Sequence, residues 1–205
     1  MTPSPYRALV FDFGGVLMRT DDHQPREALA AALGLTEAAL HDTVFACPQA
    51  QQATLGRVSA RAIWDEVARR FGLDAAGLAA FEQAFWAGDH FDVELARWAG
   101  GLRPRIQTGI LSNAWDSMRT LFVDDMQLYR YFDSIVISAE VGMAKPDPAI
   151  YRLCARRMGV ALNEMIFVDD MPHNIDAANA LGMHGVLFRS AAQARADILA
   201  CLAAS

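Results

Sequence analysis

Six polar side chains in four places along this chain are of the types that bind a metal ion and a phosphate group. They are Asp12, the pair Ser112-Asn113, Lys145 and the pair Asp169-Asp170. Carboxylate oxygens are preferred ligands of Mg²⁺, while hydroxyl and ammonium groups bind the oxygens of a phosphate. Three carboxylates in one place repel each other unless a cation lies among them. If the fold brings these groups together, the sequence predicts a site for Mg²⁺ and a phosphate.

Taken singly, each of these groups also has an ordinary structural explanation. An Asp after a strand is often a turn or capping residue, and a Ser-Asn pair often caps a helix. Lys145 alone would be a solvated loop charge, and Asp169-Asp170 could cap the segment that begins at Pro172. The prediction of a site therefore depends on the elements that would bring the four places together.

The first of these elements is the stretch Ala8–Leu17. Its apolar residues lead directly into Asp12, and Gly14 and Gly15 follow. A short apolar run bounded by glycine is typical of a strand that is buried on both faces, as in a parallel sheet. The glycines allow the backbone to turn sharply and to approach a ligand. We therefore expect Asp12 at the carboxyl end of a strand, where open α/β sheets bind their ligands.

From Arg105 onwards the sequence pattern alternates between strands and helices. It predicts strands over Ile106–Leu111, Ser134–Ser138, Glu164–Val168 and His184–Phe188, and helices over Trp115–Val123, Pro148–Met158, His173–Leu181 and Ala191–Ala203. This alternation indicates βαβ units and an α/β fold with a doubly wound parallel sheet. The carboxyl ends of such strands open on one edge of the sheet, so the four places would meet there.

The segment between His23 and Trp98 is rich in Ala, Leu, Glu and Arg and has helical periodicity with almost no strand signal. The predicted helices are Pro25–Leu33, Thr36–Phe45, Ser59–Phe71, Asp74–Ala87 and Asp92–Trp98. Breaks are expected at Gly34, Pro48, Gly56, Gly72 and Gly88-Asp89. The sequence thus predicts an all-helical block inserted between the first strand and its partners.

Four tryptophans lie in or beside this helical block. Trp64, Trp86 and Trp98 fall among helix-forming residues and are expected to be packing residues. Trp115 directly follows the Ser112 loop, so it could either pack or line the site.

Composition and charge limit the classes of function. The formal net charge of −6 and the lack of a basic run argue against a nucleic acid or a membrane surface as partner. The start of the sequence does not resemble a secretory signal, and no apolar stretch approaches the length that spans a bilayer. Cys47, Cys154 and Cys201 lack metal-type spacing and are expected to be reduced packing thiols. These observations predict a cytoplasmic protein of the size of an enzyme.

The four places are similar to motifs I to IV of the haloacid dehalogenase-like (HAD) hydrolases. The matching segments are Asp12-Phe13-Gly14-Gly15-Val16, Leu111-Ser112-Asn113, Lys145-Pro146 with its helix, and Val168–Asn174. They occur in the order and spacing of that family, and the resemblance covers essentially the whole chain. It implies the C1-capped (subfamily IA-like) phosphatase branch, with a Rossmann-like core at residues 1–19 and 99–205 and a helical C1-type cap at residues 20–98. No Walker-type phosphate-binding motif is present in the sequence.

The resemblance also implies the chemistry. Asp12 would be the nucleophile that forms an aspartyl-phosphate with a small phosphorylated metabolite. Mg²⁺ would be held by Asp12, the backbone carbonyl of Gly14 and Asp170, and would allow two anions to approach each other.

The remaining motif residues would support that reaction. Ser112 and Asn113 would bind the phosphoryl group, and Lys145 would offset the charge of the nucleophile and the phosphate. Asp169 and Asn174 would orient waters or Lys145 from the second shell of the metal site.

The sequence departs from the pattern of the family at Gly14. HAD phosphatases usually carry a second Asp there, which protonates the leaving group and then activates water. General acid–base catalysis is typically worth about 10²–10⁴-fold, so its loss should affect alkyl phosphates most and acyl, anomeric or aryl phosphates least. Asp21, Asp22 and His23 follow the motif and could supply the acid, or they could be solvated linker charges.

Two other functions remain open at this stage. A non-catalytic HAD-fold binding or regulatory protein would explain Gly14, but not the intact Asp12, Lys145 and Asp170. A 2-haloacid dehalogenase needs no metal, and such enzymes lack the paired acid that Asp169-Asp170 supplies. The sequence identifies neither the metabolite nor the oligomeric state.

Overall fold

The computed structural model describes residues 4–203 of the chain. Its strands are β1 (Ala8–Phe11), β2 (Met18–Thr20), β3 (Asp89–Phe91), β4 (Gln107–Ser112), β5 (Ser134–Ile137), β6 (Met165–Asp169) and β7 (His184–Leu187). Five of them form one sheet in the order β5-β4-β1-β6-β7, and every pairing within it is parallel. The predicted doubly wound parallel sheet is confirmed.

Helices cover both faces of the sheet and fill the long connection after β2. They are α1 (Gln24–Ala32), α2 (Glu37–Phe45), α3 (Pro48–Thr54), α4 (Arg61–Phe71), α5 (Ala75–Trp86), α6 (Val93–Gly100), α7 (Met118–Thr120), α8 (Ser138–Val141), α9 (Pro148–Met158), α10 (Pro172–Ala180) and α11 (Ala191–Ala203). None of these helices, all within residues 4–203, has the length and apolar character needed to cross a membrane.

Strand β1 is central because its side chains are apolar on both faces. Leu9 and Phe11 lie in one core cluster, together with buried residues of α6 and α11. Ala8 and Val10 lie in a second cluster, together with buried residues of α9 and α10. Since successive side chains of a strand point to opposite faces, a continuous apolar run is what a strand between two helical layers requires.

The helices α1–α5 form a block between β2 and β3 that has a hydrophobic cluster of its own. The predicted break at Pro48 is confirmed, since α2 ends at Phe45. Pro48 then begins α3, a helix that was not predicted, and Cys47 caps it by accepting a hydrogen bond from the amide of Ala50 at 3.4 Å. Proline is well tolerated at this position, since its missing N–H would have no partner within the helix.

The short antiparallel pair β2–β3 was not predicted. Met18 pairs with Phe91 and Thr20 with Asp89, so the two connections between the sheet and the helical block run side by side. Arg26 of α1 joins this pair, since its guanidinium donates to the carbonyl of Phe85 at 2.9 Å and to Asp89 Oδ1 at 2.9 Å. Three-residue strands with charged residues give too short a pattern to be recognised in the sequence.

Two further boundaries differ from the sequence pattern. The predicted helix over Trp115–Val123 is wrong in its first part, since α7 begins at Met118 and continues as a π-helical turn over Leu121–Asp125. Helix α6 packs its buried residues against the sheet, and Trp98 also packs there. Because α6 packs on the sheet, the helical block ends near β3. The cap boundaries at residues 20–98 stay a proposal.

The three cysteines are free thiols, as expected. Of these, Cys154 is buried in the core, and burial raises its pKa to about 12.

Candidate active site

The carboxyl ends of β1, β4 and β6 bring the predicted residues to one edge of the sheet. Phe11 is level with Ile110 of β4 and with Val168 of β6. Asp12 therefore follows β1 beside Asp169, the last residue of β6, and close to Ser112, the last residue of β4. All three side chains are buried. Strand register alone thus gathers residues that lie far apart in the sequence.

Lys145 connects two of the buried carboxylates. Its Nζ lies 2.8 Å from Asp12 Oδ1 and 2.6 Å from Asp169 Oδ2, and its side chain is only 1% exposed. A buried ammonium group is costly unless it is paired, and here it has two anionic partners. The loop that carries Lys145 therefore belongs to the site.

Asn113 holds the backbone of Lys145 in place. Its Oδ1 accepts a hydrogen bond from the amide of Lys145 at 2.8 Å, and its Nδ2 donates to the carbonyl of Lys145 at 2.9 Å. The side-chain amide of Asn113 is thus bonded to the backbone of Lys145 at both of its polar atoms. The phosphate-binding role of Ser112 and Asn113 stays a prediction.

Both oxygens of Asp169 are engaged within the protein. Oδ1 accepts from the amide of Met171 at 2.8 Å and from Asn174 Nδ2 at 3.0 Å, while Oδ2 accepts from Lys145. Asn174 is itself fixed at the start of α10, where the Tyr151 hydroxyl donates to its carbonyl at 3.0 Å. Asp169 therefore positions Lys145 and the loop that follows β6.

A divalent cation fits the carboxylates of this edge. Asp12, Asp169 and Asp170 each offer an oxygen, and these oxygens all lie within 4.8 Å of one another. Because Asp169 is already hydrogen-bonded at both oxygens, Asp12 and Asp170 are the side chains best able to coordinate. Oxygen donors of this kind suit Mg²⁺.

The pKa shifts of the carboxylates also favour a bound cation at this site. Burial raises the pKa of Asp12 to about 7, and the charge of Asp169 adds to that increase, although Lys145 opposes it. Burial and the charge of Asp169 raise the pKa of Asp170 as well. The three carboxylates outnumber the single ammonium group, so a cation would stabilise their ionised forms.

The two glycines after Asp12 have different surroundings. Gly15 has φ of +76°, and a Cβ at this position would lie 2.3 Å from Asp170 Oδ2. Only glycine permits this close approach. Gly14 is exposed, and a Cβ there would meet no atom within 4 Å. The position at which the resemblance to HAD phosphatases implies an acid is therefore open space in this chain.

The linker residues that could supply an acid have other partners. Asp22 Oδ1 accepts a hydrogen bond from the amide of Gln24 at 3.0 Å, at the start of α1. His23 Nδ1 lies 2.7 Å from Glu37 Oε1, and this contact raises the pKa of the exposed imidazole. Asp21 is exposed and lies 3.8 Å from Arg19. These contacts are typical of linker charges, and a role of these residues as the acid stays a prediction.

Trp115 packs on the helical block. Its ring centroid lies 5.5 Å from that of Phe45 and 6.3 Å from that of Trp64. The next residue, Asp116, accepts a hydrogen bond from the amide of Ala60 at 2.8 Å. The loop after Ser112 and Asn113 therefore connects the edge of the sheet to the helical block, and the local sequence gave no signal for that contact.

Comparisons with known proteins find relatives in sequence and in fold. The D-ribitol-5-phosphate phosphatase of Bacteroides thetaiotaomicron is 29% identical over 187 residues, which are 85% of this chain and 87% of that protein. A HAD family enzyme of the same organism, solved in complex with magnesium and inorganic phosphate, superimposes with a TM-score of 0.74 at 21% identity and covers 90% of this chain and 94% of that one.

A further relative is a much longer protein. The bifunctional epoxide hydrolase 2 of Rattus norvegicus is 34% identical over 95 residues, and the match spans 44% of this chain and only 17% of that protein. The sequence profile that covers most of the present chain, residues 6–182, is that of the haloacid dehalogenase-like hydrolases. With the four motifs gathered at one sheet edge, this match shows that the chain belongs to the haloacid dehalogenase-like hydrolase family.

Proposed function

We propose that the chain is a Mg²⁺-dependent phosphatase that hydrolyses a small phosphorylated metabolite through an aspartyl-phosphate on Asp12. The observation that carries this proposal is the buried bridge from Lys145 Nζ to Asp12 and Asp169, with Asp170 beside it. Three carboxylates and one ammonium group carry a net negative charge, so a bound cation would stabilise them and would allow a phosphate to bind.

The chemistry has two steps, both at Asp12. In the first step a carboxylate oxygen of Asp12 attacks phosphorus, a new P–O bond forms, and the ester P–O bond breaks with its electron pair leaving on the ester oxygen. In the second step a water oxygen attacks the same phosphorus, and the P–O bond to Asp12 breaks with its electron pair returning to the carboxylate. The proton of the water passes to the solvent, and inorganic phosphate leaves. Mg²⁺, held by Asp12, Asp170 and the carbonyl of Gly14, would supply the positive charge that lets the two anions meet.

The neighbouring residues position this pair of reacting groups. Lys145 balances the charge of Asp12 and, together with Ser112, binds the phosphoryl oxygens. Asn113 fixes the backbone of Lys145, and Asp169 with Asn174 fixes its ammonium group. The block of helices α1–α5 acts as the cap that excludes water and selects the substrate.

The named relatives support a small phosphorylated metabolite as substrate, since one of them is a D-ribitol-5-phosphate phosphatase. The pair Asp169-Asp170 disfavours the dehalogenase alternative, because displacement of halide from carbon needs no metal site. A non-catalytic role is supported only by Gly14. The cytoplasmic location expected from the sequence stays a prediction.

The test is the release of inorganic phosphate from a panel of acyl, anomeric and aryl phosphates, with Mg²⁺ and with EDTA. We expect release with Mg²⁺, loss of release in EDTA, and recovery when excess Mg²⁺ is added back. Release that is unaffected by EDTA would contradict the metal dependence, and no release from any compound by metal-loaded protein would favour the non-catalytic alternative.

A further inference from the structure

Two exposed aromatic side chains, Phe45 and Trp86, pack beside the buried Trp115 where the helical block meets the sheet. Phe45 at the end of α2 and Trp86 at the end of α5 are 38% and 37% exposed, and their ring centroids lie 5.8 Å apart. Trp115 stacks on Phe45 with a centroid distance of 5.5 Å and an interplanar angle of 29°. We call Phe45, Trp86 and Trp115 the aromatic patch.

Trp115 connects the aromatic patch to the edge of the sheet. Trp115 is three residues after Ser112 in the sequence. Because a residue spans at most about 3.6 Å, their Cα atoms lie within about 11 Å of each other. Trp86 is three residues before Asp89, which begins β3 and pairs with Thr20 at the end of β2. Through Trp115 the patch is therefore linked to the Ser112 end of β4, on the side of the helical block.

The rings of Phe45 and Trp86 are exposed although they contact each other. Aromatic side chains in contact with each other usually bury their faces in a core. Phe45 and Trp86 instead keep more than a third of their surface accessible, although buried Phe85 packs beside both. An aromatic group that stacked on them would bury this surface.

An independent observation concerns the leaving group. Gly14 occupies the place of the general acid, so the leaving oxygen receives no proton from that position. A substrate suited to this site leaves readily as an anion. Phenols, with a pKa of about 10 as in the Tyr side chain, do so far more readily than alkyl alcohols, which are much weaker acids.

From these two observations we infer that the aromatic patch binds the leaving group and that the substrates are aryl phosphates, the phosphate monoesters of phenols. This inference rests on the proposed function. In the reaction the P–O bond to the phenol oxygen breaks, the electron pair leaves with the phenolate, and the phenolate takes its proton from water. Acyl and anomeric phosphates also leave well, but they carry no aromatic ring for the patch to stack on.

The first test separates aromatic stacking from leaving-group acidity. It compares kcat/KM for phenyl phosphate with kcat/KM for hexafluoroisopropyl phosphate, whose alcohol is about as acidic as phenol. We expect the wild type to prefer phenyl phosphate by about tenfold. The variants Phe45→Ala and Trp86→Ala should each lower kcat/KM for phenyl phosphate about three- to tenfold, as expected for one aromatic contact, and leave the fluoroalkyl ester unchanged.

The matched control is Tyr129→Ala. Tyr129 is 54% exposed and precedes β5, so it lies near the opposite edge of the sheet. This variant should keep the wild-type preference. Phe45→Leu and Trp86→Leu preserve apolar bulk if the alanine variants unfold, and they should show the same selective loss.

The second test measures binding without turnover. Benzylphosphonate should bind at least tenfold more tightly than methylphosphonate and should change tryptophan fluorescence, and Phe45→Ala should remove most of that difference in affinity.

The possible failures are distinguishable. Hydrolysis of both esters without a preference for phenyl phosphate would overturn the inference and leave the proposed function intact. An equal loss on both esters in the patch variants would also overturn it. Hydrolysis of neither ester by metal-loaded protein would contradict the proposed function and the inference together.

Discussion

The substitution Gly14→Asp should restore an acid that the site lacks. Gly14 is exposed, its φ is not positive, and a Cβ there would meet no atom within 4 Å. An aspartate can therefore be added without strain or displacement of neighbours. By contrast, Gly15→Ala would place its Cβ 2.3 Å from Asp170 Oδ2 at a φ of +76°. Position 14 is thus the one of the two glycines that tolerates a side chain.

The size of the effect follows from the leaving group. General acid catalysis is typically worth about 10²–10⁴-fold, and an engineered acid at an unrefined distance should reach the lower end. We expect kcat/KM for an alkyl phosphate to rise about 100-fold, which corresponds to about 2.7 kcal/mol of transition-state stabilisation. Phenyl phosphate should change less than about threefold, since phenolate leaves without protonation.

The assay measures kcat/KM across a series of phosphate esters whose alcohols differ in acidity. The wild type should show a steep dependence on that acidity, and Gly14→Asp a shallow one. Gly14→Asn is the matched control, because it has the same shape but no acidic proton, and it should keep the steep dependence. Equal rates for Gly14→Asp and Gly14→Asn, or a wild type that ignores leaving-group acidity, would refute the reasoning.

Three further predictions concern the charges of the site. Lys145→Met leaves Asp12 and Asp169 without their buried partner, so the free energy of unfolding should fall by about 3–5 kcal/mol in urea denaturation, and a loss below about 1 kcal/mol would argue against the buried bridge. Asn113→Ala removes two hydrogen bonds to the backbone of Lys145, which should lower stability by about 1–3 kcal/mol and reduce kcat, whereas unchanged kcat would show that Lys145 needs no such support. Burial raises the pKa of Asp12 to about 7, and a metal ligand must lose its proton. Calorimetry should therefore show that the affinity for Mg²⁺ falls about tenfold per pH unit below 7, and an affinity that does not change between pH 8 and pH 6 would contradict this.

The positions of the predicted site residues could be read from the sequence because strand ends carry a strong local signal. The apolar run of β1 stops at Asp12, and that of β6 stops at Asp169. In a parallel sheet these ends must share an edge, so the local pattern alone brings the residues together. The paired carboxylates then point to a cation on chemical grounds.

The features that the sequence did not predict depend on contacts between distant segments. Asn113 and Lys145 are 32 residues apart, and nothing in either loop indicates that the amide of Asn113 is bonded to the backbone of Lys145. Trp115 follows a strand and precedes a helix, yet it leaves both patterns to stack on Phe45. Tertiary packing decided these positions, while local preferences decided the strands.

The assignment of Asp12 as nucleophile is tested most directly by trapping the intermediate. Wild-type protein and Asp12→Asn are each mixed with phenyl phosphate and Mg²⁺, quenched in acid within one turnover, and digested for peptide mass analysis. The account predicts one phosphoryl group on the peptide that contains Asp12 in the wild type, its absence in EDTA, and neither phosphoryl transfer nor phosphate release in Asp12→Asn. Metal-dependent phosphate release that persists in Asp12→Asn, or a phosphoryl group found on another residue, would contradict it.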